Sequence, residues 1–338
     1  MFCCANCFDD NHLRLEIFPA RFEREGPCSY CESENQKLML PISLREHFEL
    51  VTGIYIKGEE GKTLVEWLKE DWSMFAHERM DNARSQMLLA EIFNDGDRVR
   101  QRFVPSNHGV SDTLVRWDCL REELMHSNRY FPKTGFNLDR LKRLFDFLLL
   151  RGSEVSQGWF RARIQLGASE FSAGEMMAPP KHLASHGRAN PAGIPYLYLA
   201  SNELTAISET RPHTGDVVYV ASINLPSELK IADLRHPRKT VSPFILPDED
   251  EISLLRGDIE FLERLGDELT RPILPRSAAF DYIPSQYLCE FIKDCGFDGV
   301  MYRSSVGDGN NLAIFNPLIA EIGVILHRQV SRVTVSVG

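Results

Sequence analysis

"HGRANPAGIPYLYLASNELTAISETRP" spans His186 to Pro212. A Gly-Arg pair opens it among turn formers, and Pro195 leads into alternating tyrosine and leucine. A short helical pattern follows, and Pro212 stops it. Alternation sets Tyr196 and Tyr198 on one side of a strand, with Leu197 and Leu199 on the other. The helix starts at Ser201 or Asn202, so Glu209 falls in its last turn. The helix dipole is negative there and disfavours a carboxylate, whereas Glu203 in the first turn is favourably placed.

This strand–helix unit has neighbours of both kinds. "GWFRARIQL" (158–166), "DVVYVASINL" (216–225), "LKIADL" (229–234), "FDGVMYRS" (297–304) and "NLAIFNP" (311–317) read as strands. "DEDEISLLRGDIEFLERLGDEL" (248–269) reads as a helix with an acidic first turn. "PSQYLCEFIKDCG" (284–296) is an amphipathic helix with Gly296 at its end. Residues 152–330 therefore form a mixed α/β or α+β domain.

Residues 36–151 carry a different pattern. "ISLREHFELVTGIY", "TLVEWLKEDWSMF", "NARSQMLLAEIFND" and "TLVRWDCLREELMHSNRYF" place apolar residues at helical spacing. In "NLDRLKRLFDFLLLRG" Asn137 is a candidate cap and Gly152 a stop. This stretch reads as a small helical domain, with a domain boundary near residue 150. The fold class is α+β: a helical N-terminal part followed by the mixed domain.

Ahead of the helices lie two C-x-x-C knuckles, "CANC" and "CSYC". Twenty residues (8–27) separate them, a spacing that suits a zinc ribbon. Cys4, Cys7, Cys28 and Cys31 would supply four thiolates to one structural Zn²⁺, making residues 1–35 a zinc-knuckle segment. The alternative is a set of free thiols or a redox pair. Cys3 is a spare or exchanges with Cys4, and Cys119, Cys289 and Cys295 are expected in the core.

The bulk properties narrow the class. With 338 residues the chain has room for two domains, and 43% hydrophobic residues supply ample core. The net charge of −10 gives no overall footprint for nucleic acid or anionic membrane, so neither is expected as a partner. No apolar run approaches the roughly 20 residues of a membrane span, and the N-terminus lacks the pattern of a signal peptide. A cytoplasmic location with reduced cysteines is expected.

Four groups in the second domain carry candidate chemistry. Arg188 lies between Gly187 and Gly193, where a guanidinium can reach a pyrophosphate. Tyr196 and Tyr198 read as core packing or as rings that stack on a flat heterocycle. Glu209 sits on the wrong end of its helix for an idle carboxylate, although a surface pair with Arg211 would also explain it. "YRSSVGDGNN", Tyr302 to Asn311, offers hydroxyls and a glycine loop for ribose or phosphate contacts, or is an ordinary hairpin connection. Neither a Walker A motif nor a G-x-G-x-x-G fingerprint is present.

"WFRAR", "GRANPAGIPYLYLASNELTAISE", "SQYLCEFIKDCGFDGVMY" and "SSVGDGNNLAIFNP", in that order, resemble the RES domain family, named for its Arg, Glu and Ser. The resemblance implies an ADP-ribosyltransferase-like fold and an NAD⁺-consuming enzyme, an NAD⁺ glycohydrolase or phosphorylase or a protein ADP-ribosyltransferase. It implies a toxin or defence effector, with NAD⁺ as substrate. By motif position the family arginine falls on Arg188, the tyrosine on Tyr198, the glutamate on Glu209 and the serine on Ser305, with Ser304 beside it. Arg161 matches an additional arginine of the first strand. Arg161, Arg188, Tyr198, Ser304, Ser305 and Asn311 are then the substrate-binding set, and Glu209, Arg188, Tyr198 and Ser305 the catalytic one. The simplest RES toxins pair with an antitoxin, so an antitoxin or regulatory protein and a second copy of the chain are the expected partners.

The N-terminal part resembles the HEPN-like domain found ahead of some RES domains. Arg121 and His126 give an R-x4-H match to the HEPN ribonuclease pattern, a common spacing on helices. Two competing readings follow: a HEPN-type ribonuclease with a RES sensor domain, and a binding module that only senses a nucleotide.

Overall fold

The computed structural model describes residues 1–106, 111–155, 158–167, 169–273 and 277–334. It divides into two compact units, Met1–Leu114 with His236–Leu262, and Val115–Arg235 with Glu263–Gly338. Each unit is built from two separate stretches of chain.

In the first unit, strands β1 (Arg24–Gly26) and β2 (Gln36–Leu38) pair antiparallel behind the knuckles. Helices follow at Arg45–Gly53, Leu64–Trp72 and Asn82–Phe93, where the apolar spacing placed them. Thr63 and Glu66 form a capping box that satisfies the first free amides of the second helix. The purely helical reading of this stretch needs correction. Tyr55–Lys62 is a strand, β3, paired with β4 (Phe103–Pro105). A Cβ on Gly61 would lie 1.8 Å from the Phe103 carbonyl oxygen, so only glycine permits this approach of the two backbones.

The second unit is organised by an eight-stranded sheet. Its strands are β5 (Leu149–Arg151), β6 (Trp159–Ile164), β7 (Leu197–Ala200), β8 (Val217–Asn224), β9 (Lys230–Asp233), β10 (Gly299–Arg303), β11 (Asn310–Ile314) and β12 (Glu321–Gln329). They lie in the order β12-β8-β6-β7-β11-β10-β9-β5. β9 and β10 run parallel, and the other neighbours pair antiparallel. One face packs Trp159, Leu197, Leu199, Ile231, Met301, Leu312 and Ile314 into a common core. Burying these side chains is the main stabilising term for the unit.

Asn137 caps the Leu138–Asp146 helix as expected, its Oδ1 accepting from the Arg140 amide at 2.9 Å. That helix does not reach Gly152: Leu149–Arg151 leaves it to pair with β9. An apolar Leu-Leu pair suits either state, and the open sheet edge decides. Gly152 is needed for a different reason, since a Cβ there would meet the Ser227 carbonyl and the Leu229 amide at 2.8 Å. β12 has no counterpart among the strands read from the sequence. Its apolar residues do not alternate cleanly across a register shift between Ile322 and Ile325.

Candidate active site

The period of two that buries Leu197, Leu199, Met301 and Leu312 leaves Tyr198, Tyr302 and Asn311 on the opposite sheet face. The helix Glu203–Glu209 covers part of that face, capped by Asn202, whose Oδ1 accepts from the Thr205 amide at 2.8 Å. A cavity of about 290 Å³ opens there, lined by Phe160, Arg161, Arg188, Tyr198, Glu209, Tyr282, Tyr302 and Asn311 among others.

β6 and β7 meet at one register point, Phe160 opposite Ala200. Arg161 follows at once and donates from Nη1 to the Tyr198 carbonyl at 3.1 Å. Burial, aided by the Arg163 charge, pushes the Arg161 pKa down to about 10, so it remains cationic at neutral pH.

Arg188 is held by the turn that precedes β7. Its Nη1 donates to the Arg271 carbonyl at 2.7 Å and its Nη2 to Ser305 Oγ at 3.4 Å. The guanidinium lies 5.5 Å from the centre of the Tyr282 ring. The turn is tied down by Tyr198: its hydroxyl donates to Asn190 Oδ1 at 2.7 Å and accepts from the Ala189 amide at 2.9 Å. Gln286 Nε2 donates to the Gly187 carbonyl at 2.8 Å, and Ser285 Oγ to the Arg188 carbonyl at 2.6 Å. A Cβ on Gly187 would lie 2.5 Å from the Tyr198 hydroxyl oxygen, which accounts for the glycine.

Glu209 is the last residue of its helix. Its Oε1 accepts from Ser304 Oγ at 2.7 Å and from Asn311 Nδ2 at 2.6 Å. Among the described residues Oε2 has no hydrogen-bond partner, and no ion pair joins Glu209 to Arg211. Two donors offset what the helix dipole opposes. The two tyrosines part company: Tyr196 is buried against Phe315, ring centroids 4.9 Å apart, while Tyr198 reaches the cavity.

Arg161, Arg188, Tyr198, Glu209 and Asn311 thus line one cavity, with Ser304 and Ser305 bonded to two of its side chains. Phe160, Tyr282 and Tyr302 line it too, and none was singled out from the sequence as a site residue. Tyr302 opens the quoted "YRSSVGDGNN" group, but its place opposite Asn311 is set by the β10–β11 register, which the sequence does not carry. Tyr282, between the short helix Ala278–Asp281 and the helix Ile283–Asp294, carries no local signal.

Arg121 and His126 lie elsewhere in this unit, on the helix Thr113–His126. Five positions along an α-helix set them about 140° apart around its axis. Arg121 Nε lies 3.1 Å from the buried Glu268 carboxylate, while the His126 imidazole lies 4.0 Å from Glu122.

In the first unit the metal-binding atoms of Cys4, Cys7, Cys28 and Cys31 all lie within 4.8 Å of one another, and all four residues are buried. The sulfurs of Cys4 and Cys31 are 3.4 Å apart, as are those of Cys7 and Cys28. Four thiolates around Zn²⁺ at about 2.3 Å would stand about 3.8 Å apart, so the quartet fits that ion. The Tyr30 amide points at Cys28 Sγ, 3.5 Å away, as a knuckle turn requires. Cys3 stands outside the quartet, its thiol on the Met39 carbonyl. Cys289 is buried and Cys295 half-buried, but Cys119 is exposed, contrary to its expected place in the core. Its helix buries Trp117, Leu120 and Leu124, so position 119 falls on the outer face.

The sheet and its cavity define an α+β domain, the cavity lined by charged and aromatic side chains. The family model of the RES domain matches residues 159–334, and the chain belongs to that family. No curated protein matches it significantly. Among solved structures, a chain of the M. tuberculosis MbcT-MbcA toxin-antitoxin complex is similar at 14% identity and a TM-score of 0.34, over 57% of this chain and 94% of that one. No helix among the described residues is long and apolar enough to cross a membrane.

Proposed function

We propose that this protein consumes NAD⁺ by breaking the nicotinamide N-glycosidic bond, as a toxin or defence effector. The observation that supports this best is the carboxylate of Glu209. One oxygen is fixed by Ser304 and Asn311, and the other is left for a ligand, in a cavity shared with Arg161 and Arg188. Departure of nicotinamide builds positive charge on the ribose, and a fixed carboxylate stabilises it without reorganising. Arg161 and Arg188 carry the charge that a pyrophosphate requires. Tyr198 contributes its ring to the cavity and its hydroxyl to the Arg188 turn. At about 290 Å³ the cavity lies near the lower end of the usual 300–1,000 Å³ of small-molecule sites, suited to the nicotinamide end rather than to the whole dinucleotide. The catalytic domain in this reading is 152–330, preceded by a zinc-knuckle segment, 1–35, and a HEPN-like segment, 36–151, whose helices are accompanied by the β3–β4 pair and by β5. Incubation of the purified protein with NAD⁺, with and without phosphate, tests it. Free nicotinamide is expected, and the second product separates hydrolysis, phosphorolysis and transfer to protein. Unconsumed NAD⁺ under all conditions would refute the reading.

The cysteine quartet has a separate, structural role in this proposal. Cys4, Cys7, Cys28 and Cys31 would hold one Zn²⁺. Such a closed site leaves no coordination position for catalysis and acts by holding the knuckle turns together.

A further inference from the structure

We propose that Tyr302 contacts the substrate directly, its phenol donating a hydrogen bond to a neutral acceptor oxygen of the dinucleotide beside Glu209. The proposal rests on the reading of the cavity as an NAD⁺ site and adds a residue to it.

The register of β10 and β11 places Tyr302 opposite Asn311, and Ser304 lies two positions further on the same face. Asn311 and Ser304 are the two residues that hold Glu209, so Tyr302 belongs to the same patch. Its residue is 3% exposed and lines the cavity. Among the described residues its hydroxyl has no hydrogen-bond partner. The other tyrosines of the region are used differently. Tyr198 commits its hydroxyl to Asn190 and Ala189; the Tyr196 hydroxyl is also without a partner, but that ring is buried against Phe315 and is not part of the cavity lining. A hydroxyl at the cavity wall without a protein partner is free to donate to a ligand acceptor. Burial first, then the neighbouring Tyr198 and Glu209, hold the Tyr302 pKa well above the usual phenol value. The group is therefore a neutral donor and not a base.

The ribose and the nicotinamide carboxamide both carry acceptor oxygens of this kind. The test uses the full chain with Tyr302→Phe and Tyr198→Phe, steady-state kinetics with NAD⁺, thermal unfolding, and binding of ADP-ribose and of nicotinamide. Tyr302→Phe is expected to lower kcat/KM about tenfold with no loss of thermal stability, since no protein hydrogen bond is removed. Tyr198→Phe is expected to lower the unfolding temperature. Weakened ADP-ribose binding in Tyr302→Phe assigns the contact to the ribose, and weakened nicotinamide binding assigns it to the carboxamide. A Tyr302→Phe protein within twofold of wild-type kcat/KM overturns the proposal and leaves the NAD⁺ reading standing. A marked fall in its unfolding temperature also overturns it, by making Tyr302 a core residue. A wild-type protein that neither binds nor consumes NAD⁺ removes both.

Discussion

Asn311 donates a hydrogen bond from Nδ2 to Glu209 Oε1 at 2.6 Å, although the two residues are 102 positions apart. Asn311 is buried on β11, so it is a rigid support for an exposed carboxylate at a helix end. Ser304 donates to the same oxygen, which leaves Oε2 as the atom available to a ligand.

Glu209→Gln keeps the shape of the side chain and removes its charge. Loss of one well-placed electrostatic group lowers turnover on the order of 10²- to 10³-fold. Nicotinamide release at saturating NAD⁺, with circular dichroism to verify folding, measures it. Wild-type turnover in a folded variant would end the catalytic reading of Glu209.

Arg188→Ala should weaken NAD⁺ binding more than it slows the bond-breaking step. The guanidinium spans the Arg271 carbonyl and Ser305 at the cavity and makes no hydrogen bond to Glu209 among the described residues. A raised KM with kcat within a fewfold of wild type is expected. The opposite split, kcat lost and KM kept, would place Arg188 in the chemistry.

Gly187→Ala tests the turn itself. The new methyl would stand 2.5 Å from the Tyr198 hydroxyl oxygen and 2.6 Å from Asn190 Oδ1. Overpacking of this kind costs about 1–3 kcal/mol. Denaturant unfolding should show that loss, and Arg188-dependent binding should fall with it. An unchanged midpoint would mean that the turn can shift and is not held by Tyr198.

Metal analysis of the purified protein should find about one Zn²⁺ per chain. Cys28→Ser should lower that content and the unfolding temperature, because structural zinc contributes directly to folding. A metal-free protein of unchanged stability would leave the quartet as four buried thiols.

Much of the second unit could be read along the chain. Alternation in "LYLA" and the Pro212 stop gave β7 and its helix, and the Glu209 carboxylate at the dipole's negative end pointed to a partner. The identity of that partner was less legible: Arg211 is adjacent in sequence, but Asn311 and Ser304 hold the carboxylate. β5 and β12 escaped because edge pairing, not local pattern, makes them strands. Strand β3 escaped because its polar "YIKGEEGK" has neither helical spacing nor clean alternation.

Sequence by itself determined the residue types and their order: two knuckles at a zinc spacing, a glycine-flanked arginine, a helix-end glutamate and a serine–glycine loop. Those are local properties, set by side-chain chemistry and the periods of helix and strand. Only the tertiary structure decided which tyrosine does what. Tyr196, Tyr198 and Tyr302 all look like half-buried strand residues. Register across β7, β11 and β10 sends Tyr198 and Tyr302 to the cavity, and the Asn190 turn then takes up one hydroxyl and leaves the other. Strand pairing joins residues a hundred positions apart, and no local pattern encodes which of their polar atoms finds a partner.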